Sequence, residues 1–216
     1  MTPDITVQLL QEAKGFDWTE FLKFVVSLIG AAAAFCVGLW QYSKAQQWKR
    51  VEFVANEMKM FVEDEAAKAA MVMLDWSRKQ MALYRYRADS DKDMRVWVNY
   101  ELVADALGTD PNEHYERPRA AIREIFDSFL GYLERFNSFI EARVVKPEDL
   151  TPYMHYWTTL LSGNDDKSPE VTRIVLPKFW VFVDHYGYSG ARRFVTRFSQ
   201  ITSELEREIA KVKADR

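Results

Sequence analysis

The side chains that could do chemistry are few in this 216-residue chain, and they lie far apart in sequence. Its histidines are His114, His155 and His185, and its single cysteine is Cys36. Metal sites need several ligands at short spacings, and the chain has no H-E-x-x-H and no C-x-x-C pattern. It also lacks the G-x-G-x-x-G and G-K-[ST] loops that hold nucleotides. We therefore predict no catalytic residue, no metal site and no cofactor.

Two groups of polar residues could transfer a proton or bind an anion. Asp184 and His185 could share a proton, but adjacent residues on a helix point in different directions, which favours structural roles. Arg119, Arg123 and Asp127 recur at four-residue spacing, which favours a solvated ladder of ion pairs. The alternative is a contact for an anion, made by Arg119 and Arg123 near a helix start. An enzyme that uses these arginines with Asp184 and His185 stays a further alternative, because such sites can escape motif analysis.

The first element that must position any site is an apolar stretch near the N-terminus. From Phe24 to Trp40 the chain carries no charge. A membrane span needs about 20 apolar residues, and Lys23 lies close enough to its start to reach the headgroups. Trp18 occupies the position of an interfacial aromatic residue. We predict a transmembrane helix over residues 19–42 and a short extracytoplasmic segment over residues 1–18.

Two other interpretations of this stretch fit less well. A signal peptide begins with a short positive region, whereas residues 1–20 carry four acidic side chains. A buried core helix shows a polar stripe, and the middle of this run has none. Lysine and arginine are more frequent after the stretch than before it. We therefore expect a single-pass protein of the inner membrane, with its N-terminus outside and its C-terminal domain in the cytoplasm.

A stripe of small residues runs along the predicted span. Gly30, Ala34 and Gly38 recur at four-residue spacing, which lets a second helix approach closely. Alanine and glycine are also common in spans, so the spacing can arise without any function. Self-association through this face is one interpretation, and a plain lipid-facing surface is the other.

Composition and periodicity predict a mainly α protein in which the span continues into a cytosolic helical bundle. Val51, Val54, Met58 and Phe61 keep helical spacing, which predicts a juxtamembrane helix over residues 43–62. That face is too short for a coiled coil and is expected to pack on its own domain. The many aromatic residues, 14 Phe, 10 Tyr and 7 Trp, predict a packed domain over residues 63–216. The net charge of −3 argues against a nucleic-acid partner.

Within that domain the elements can be placed approximately. We predict a helix over residues 64–81 and a small β-hairpin at about residues 81–100, with strands at 83–87 and 95–100; a loop is the alternative. We expect a helix over residues 152–161, a helix kinked or divided at Pro177, and one last helix from residue 191. The clearest helix follows Pro118, and its broad apolar face makes it the expected centre of the domain. That face comprises Ile122, Ile125, Phe126, Phe129, Leu133, Phe136 and Ile140.

Several motifs follow the span in a fixed order: MVMLDW, then IREIFDSFLGYLERF, then LTPYMHYW, then YGYSGARRF. With them, the chain resembles a family of uncharacterised bacterial membrane-anchored helical proteins that contain a domain of unknown function. The resemblance covers roughly residues 20–200. It implies a shared helical fold, and it implies no activity and no catalytic residue.

These observations lead to a functional hypothesis with two alternatives. The chain is expected to be a non-enzymatic sensor or binding module whose partners are the lipid bilayer, other copies of itself and an unknown cytosolic protein or small ligand. The first alternative is an oligomeric, pore-type effector that perturbs the membrane, as in phage defence. No strongly polar residue lines the middle of the span, which counts against a pore. The second alternative is an enzyme with an unrecognised site.

Overall fold

The computed structural model describes residues 18–83, 95–110 and 116–214, and these residues are mainly α-helical. The chain divides into two compact units, residues 1–49 and residues 50–216. The helices are α1 (Trp18–Glu63), α2 (Glu65–Asp75), α3 (Tyr100–Ala106), α4 (Arg117–Glu141), α5 (Pro147–Leu161), α6 (Pro169–Ile174), α7 (Leu176–Tyr186), α8 (Ser189–Phe198) and α9 (Ser203–Ala214). The strands β1 (Arg78–Ala82) and β2 (Arg95–Asn99) form an antiparallel pair.

The described part of the first unit is helical throughout. One helix of the described residues, α1, is long and apolar enough to cross a membrane. None of the residues in its most apolar 18-residue stretch is buried. The predicted extracytoplasmic segment lies almost wholly in residues 1–17, outside the described residues.

The last turns of α1 belong to the second unit and supply part of its core. Val54, Met58 and Phe61 are buried, as their spacing predicts, whereas Val51 is 48% exposed. The Phe61 ring contacts the ring of Phe136 at a centroid distance of 5.5 Å. This face therefore packs on its own domain, as the short apolar repeat indicated.

Helix α4 is the centre of the second unit, as its apolar face predicts. All seven residues of that face are buried. On one side α4 packs against α2, whose alanines Ala67 and Ala70 allow close approach. On other sides it packs against α3 and α8. One long helix with apolar residues around much of its circumference can organise several shorter ones in this way.

The predicted hairpin is present, but the boundary before it was wrong. Helix α2 ends at Asp75 instead of residue 81, and the first strand is Arg78–Ala82 instead of 83–87. Arg, Lys, Gln and Met favour a helix, but pairing with β2 places Met81 and Val96 against the core, and this packing outweighs propensity. Residues 84–87 lie outside the described residues.

The last predicted helix was also wrong, because it is divided into α8 and α9. The loop between α5 and α6 supplies hydrogen bonds to the interruption. The Ser162 and Ser199 hydroxyls lie 2.7 Å apart, and the Thr202 N–H donates to the Ser162 carbonyl at 2.9 Å. Asn164 Nδ2 donates to the Gln200 carbonyl at 2.8 Å. Backbone groups that a continuous helix would pair internally are thus satisfied by the loop.

Prolines set two other helix boundaries. Helix α5 begins at Pro147, more than one turn before the predicted residue 152. The Asp149 carboxylate accepts a hydrogen bond from the Lys146 N–H at 2.9 Å, and this capping contact stabilises the earlier start. Pro152 lies inside it. Pro177 stands in the first turn of α7, directly after the division from α6, as predicted.

Candidate functional site: an acidic pocket

The two arginines predicted as an anion contact join α4 to α3. Arg119 donates to Asp105 Oδ2 at 3.1 Å. Arg123 donates to the carbonyls of Ala106 and Gly108 at 2.8 and 2.6 Å, where its charge also complements the C-terminal end of α3. Both guanidinium groups therefore stabilise the packing of α4 against α3, and an anion contact by them stays a prediction.

Asp184 and His185 point to different surroundings. Asp184 accepts from Arg192, at 2.9 Å, and from Lys213, at 2.7 Å, which ties α7 to α8 and α9. The exposed His185 ring lies against the Tyr186 ring. The carboxylate is thus engaged by two cations, and the pair is not arranged to share a proton.

Three carboxylates at seven-residue spacing on α4 accept hydrogen bonds from residues in α8 or directly before it. Asp127 accepts from the Tyr188 hydroxyl at 3.1 Å. Glu134 accepts from the Ala191 N–H at 3.0 Å, and Glu141 accepts from Arg193 Nε at 3.1 Å. The residues of the YGYSGARRF motif therefore serve packing between helices.

A pocket of about 580 Å³ opens between the α5–α6 loop, α6 and α9. The buried Leu205 and the exposed Pro169 provide apolar walls. Five acidic side chains and one basic side chain, Arg173, complete the charged part of the described lining. The acidic residues are Asp165, Asp166, Glu170, Glu204 and Glu208.

The break between α8 and α9 builds this pocket. It lets α9 turn back towards the α5–α6 loop, where Gly163 adopts a left-handed conformation with φ +76°. A Cβ atom at Gly163 would lie 3.0 Å from Thr202 Oγ1 and 3.1 Å from a Leu205 methyl, so only glycine fits without a shift. Gly163 and the Asn164 hydrogen bonds thus bring the loop acids next to those of α9.

The charge of the pocket is only partly compensated. Asp165 Oδ1 accepts from the Lys167 N–H at 3.2 Å, whereas its buried Oδ2 has no hydrogen-bond donor among the described residues. Glu208 pairs with Lys211 at 2.6 Å. Burial raises the pKa of the Tyr156 hydroxyl, and its hydrogen bond to Asp75 and the charge of Asp165 raise that pKa further.

Such an arrangement can hold a cation. In the described ranges, no three His, Cys, Asp or Glu side chains are grouped closely enough to hold a metal ion. An organic cation, whose charge is spread over a larger body, suits carboxylates that are dispersed around apolar walls. Carboxylates accept hydrogen bonds from guanidinium or ammonium groups with charge assistance.

Motif analysis missed this pocket. The signal in the sequence is the pair Asp165 and Asp166 before Glu170, with Glu204 and Glu208 one helical turn apart. Their meeting depends on the interruption of the last helix, which periodicity did not reveal.

Comparison with known proteins assigns no family to this chain. A scan against protein-family models, a search of curated proteins and a search of solved structures found no match. The resemblance to uncharacterised membrane-anchored proteins therefore stays a prediction.

Proposed function

We propose that this protein is a single-pass inner-membrane protein whose cytosolic helical domain binds a cationic ligand, without catalysing a reaction. The acidic pocket carries this proposal, because it joins five carboxylates to apolar walls in one cavity. A ligand with a guanidinium or ammonium group on an apolar or aromatic body would satisfy both parts of the lining.

The apolar stretch of α1 supports the anchor, because its side chains need a nonpolar environment. We expect the full chain to stay with membranes during alkaline carbonate extraction. Ile29→Arg should release it, since a charge at the middle of a span is costly, whereas Gln47→Arg should not. Release of both variants alike, or release of the unsubstituted chain, would contradict the anchor.

The orientation of the chain is tested by proteins fused to its C-terminus. If the C-terminal domain lies in the cytoplasm, a fused fluorescent protein should fluoresce, and a fused phosphatase that needs export should stay inactive.

The pocket is tested by calorimetry on the full chain in mild detergent, with the peptide acetyl-Arg-Trp-Arg-amide as probe. Glu204→Gln with Glu208→Gln should weaken binding by about tenfold or more, because hydrogen bonds to charged groups are lost. Glu206→Gln is the control, since Glu206 lies on the same helix outside the described pocket lining and pairs with Arg192 at 2.6 Å. Absence of binding, or equal weakening by the control, would overturn the proposed ligand class.

Self-association of the span is part of the same proposal. Outside the backbone of α1 itself, a Cβ atom added at Gly30 or Gly38 would meet no atom of this chain within 4 Å, which leaves room for a second helix. Light scattering in detergent should show an oligomer whose mass falls when Gly30→Leu and Gly38→Leu are combined. A large closed oligomer would favour the pore-type alternative, and conductance would then be measured; a monomer would remove it.

A further inference from the structure

We infer that the β1–β2 hairpin is a docking surface whose occupant is the acidic pocket of a second copy of this chain. This inference deepens the proposed function, because it names the source of the cationic group. It rests on complementary chemistry between two described surfaces of one molecule.

The outward face of the hairpin combines an indole with positive charge. Gln80 lies directly opposite Trp97 in the register, so residues 78, 80, 95 and 97 share one face. Trp97 is 56% exposed, and Arg78 and Arg95 beside it are exposed as well. The Arg78 guanidinium lies over the Trp97 ring, 4.7 Å from a ring centroid. This face thus presents an aromatic ring that carries a cation.

A second pair of the same kind lies at the start of the hairpin, with Lys79 on the opposite face of β1 from Arg78. Trp76 is 54% exposed, and Lys79 Nζ lies 4.6 Å from its ring centroid. Large exposed aromatic residues accompanied by arginine are typical of protein–protein contact sites. The exposed residues of the hairpin are therefore suited to contact with the surface of a partner protein.

The pocket supplies the matching chemistry. Its apolar walls, Leu205 and Pro169, suit an indole, and its carboxylates suit the guanidinium stacked on that indole. Asp165 also has an oxygen that is buried without a donor among the residues that the structure describes. A Trp–Arg pair is thus the kind of cationic, aromatic group that the proposed function requires.

The two surfaces are neighbours on one molecule, which permits a two-fold dimer. The Tyr156 hydroxyl donates to Asp75, which directly precedes Trp76. The same tyrosine lies on α5, and the loop that follows α5 supplies Gly163 and Asp165 to the pocket lining. In a two-fold contact each copy offers both surfaces, so the hairpin of each would meet the pocket of the other.

The test uses two full-length chains, both with Cys36→Ser, co-expressed in one membrane. One carries Gln80→Cys on the hairpin, and the other carries Thr172→Cys in the pocket lining. We expect a disulfide between the two chains under mild oxidation. A chain with Ser128→Cys, exposed on α4 outside the pocket, replaces the pocket variant as control and should give at most a tenth as much product.

Charge exchange makes the test specific for this contact. Arg78→Glu with Arg95→Glu on the hairpin chain should reduce the disulfide about tenfold. Glu170→Lys with Glu208→Lys on the pocket chain should restore it. A disulfide that is absent, equal to the Ser128→Cys control or insensitive to charge reversal would overturn the inference. If the Arg-Trp-Arg peptide still binds the pocket in that case, the proposed function stands without this partner; if the peptide also fails to bind, both are overturned.

Discussion

Glu134 on α4 accepts a hydrogen bond from the backbone N–H of Ala191, 3.0 Å away, in the first turn of α8. The carboxylate thereby satisfies a donor that the helix itself cannot pair, and its charge complements the helix N-terminus. The approach is possible because residue 190 is glycine: a Cβ atom there would collide with the Glu134 carboxylate. This contact gives a structural reason for the second glycine in YGYSG.

Gly190→Ala should therefore destabilise the domain. The methyl group must displace the Glu134 carboxylate and break its hydrogen bond to the Ala191 N–H, and a hydrogen bond to a charged group contributes about 1.5–3 kcal/mol. Chemical denaturation of the full chain in detergent measures the change. Gly131→Ala is the control, because Gly131 lies in α4 with nothing within 4 Å of an added Cβ. It should stabilise by about 0.4–1 kcal/mol. Equal effects of the two substitutions would contradict the role of the contact.

The Tyr188–Asp127 hydrogen bond should give the stability a signature at high pH. Burial, followed by the negative charge of Asp127, raises the pKa of Tyr188 from 10.0 to about 12. Between these values the unfolded chain loses the proton while the folded chain keeps it. The folded state then binds more protons, so the free energy of unfolding falls as the pH rises.

Tyr188→Phe isolates this contribution from that of other tyrosines. The unsubstituted chain should be more stable than the variant near pH 9, and the difference should shrink as the pH approaches 12. Denaturation midpoints of both chains across this range measure it. A stability difference that is constant with pH would show that Tyr188 titrates alike in the folded and unfolded chains.

Phe61 tests whether the end of α1 is part of the domain core. Its side chain is 1% exposed and lies among the rings of Phe129, Tyr132 and Phe136. Phe61→Ala should cost about 3–5 kcal/mol, because it removes buried surface and leaves a cavity. Val62→Ala, at the adjacent position with 52% exposure, should cost far less. Comparable losses in urea denaturation would indicate that α1 does not contribute to the core.

How far the sequence predicts this structure depends on the range of the interactions involved. The seven apolar positions of α4 repeat along one helix, so periodicity alone identifies them. The boundary at Asp75 depends on pairing between Gln80 and Trp97, and a window of neighbouring residues contains no information about that pairing. Local propensity favours a longer α2 for this reason.

The pocket shows the same limit for function. From the sequence, Glu204 and Glu208 are expected on one exposed helix face, and Asp165 is expected in a polar loop. They meet because Asn164 and Ser162 bind the interruption at Ser199. Periodicity does not reveal the interruption, because Phe198, Ile201 and Leu205 keep helical spacing across it. The chemistry of the site thus arises from a tertiary contact that motif analysis does not detect.

Glu57 on α1 and Arg135 on α4 form a partly buried ion pair that can be tested as a unit. Glu57 is 6% exposed, and its carboxylate accepts from Arg135 at 2.7 Å. Its second oxygen has no donor within the described segments. Arg135→Ala should cost about 1–3 kcal/mol, because it leaves a buried carboxylate without its cation.

Replacing both members should cost less than removing the arginine alone. Glu57→Met with Arg135→Met removes the uncompensated charge and fills the space with apolar side chains, which is often neutral or stabilising. A double-mutant cycle from urea denaturation, with Glu57→Met and Arg135→Met measured singly, gives the coupling free energy. Simple additivity of the two single effects would mean that the two charges do not stabilise each other. Any cost of losing Arg135 would then come from its other contacts, among them the Phe139 ring at 5.5 Å.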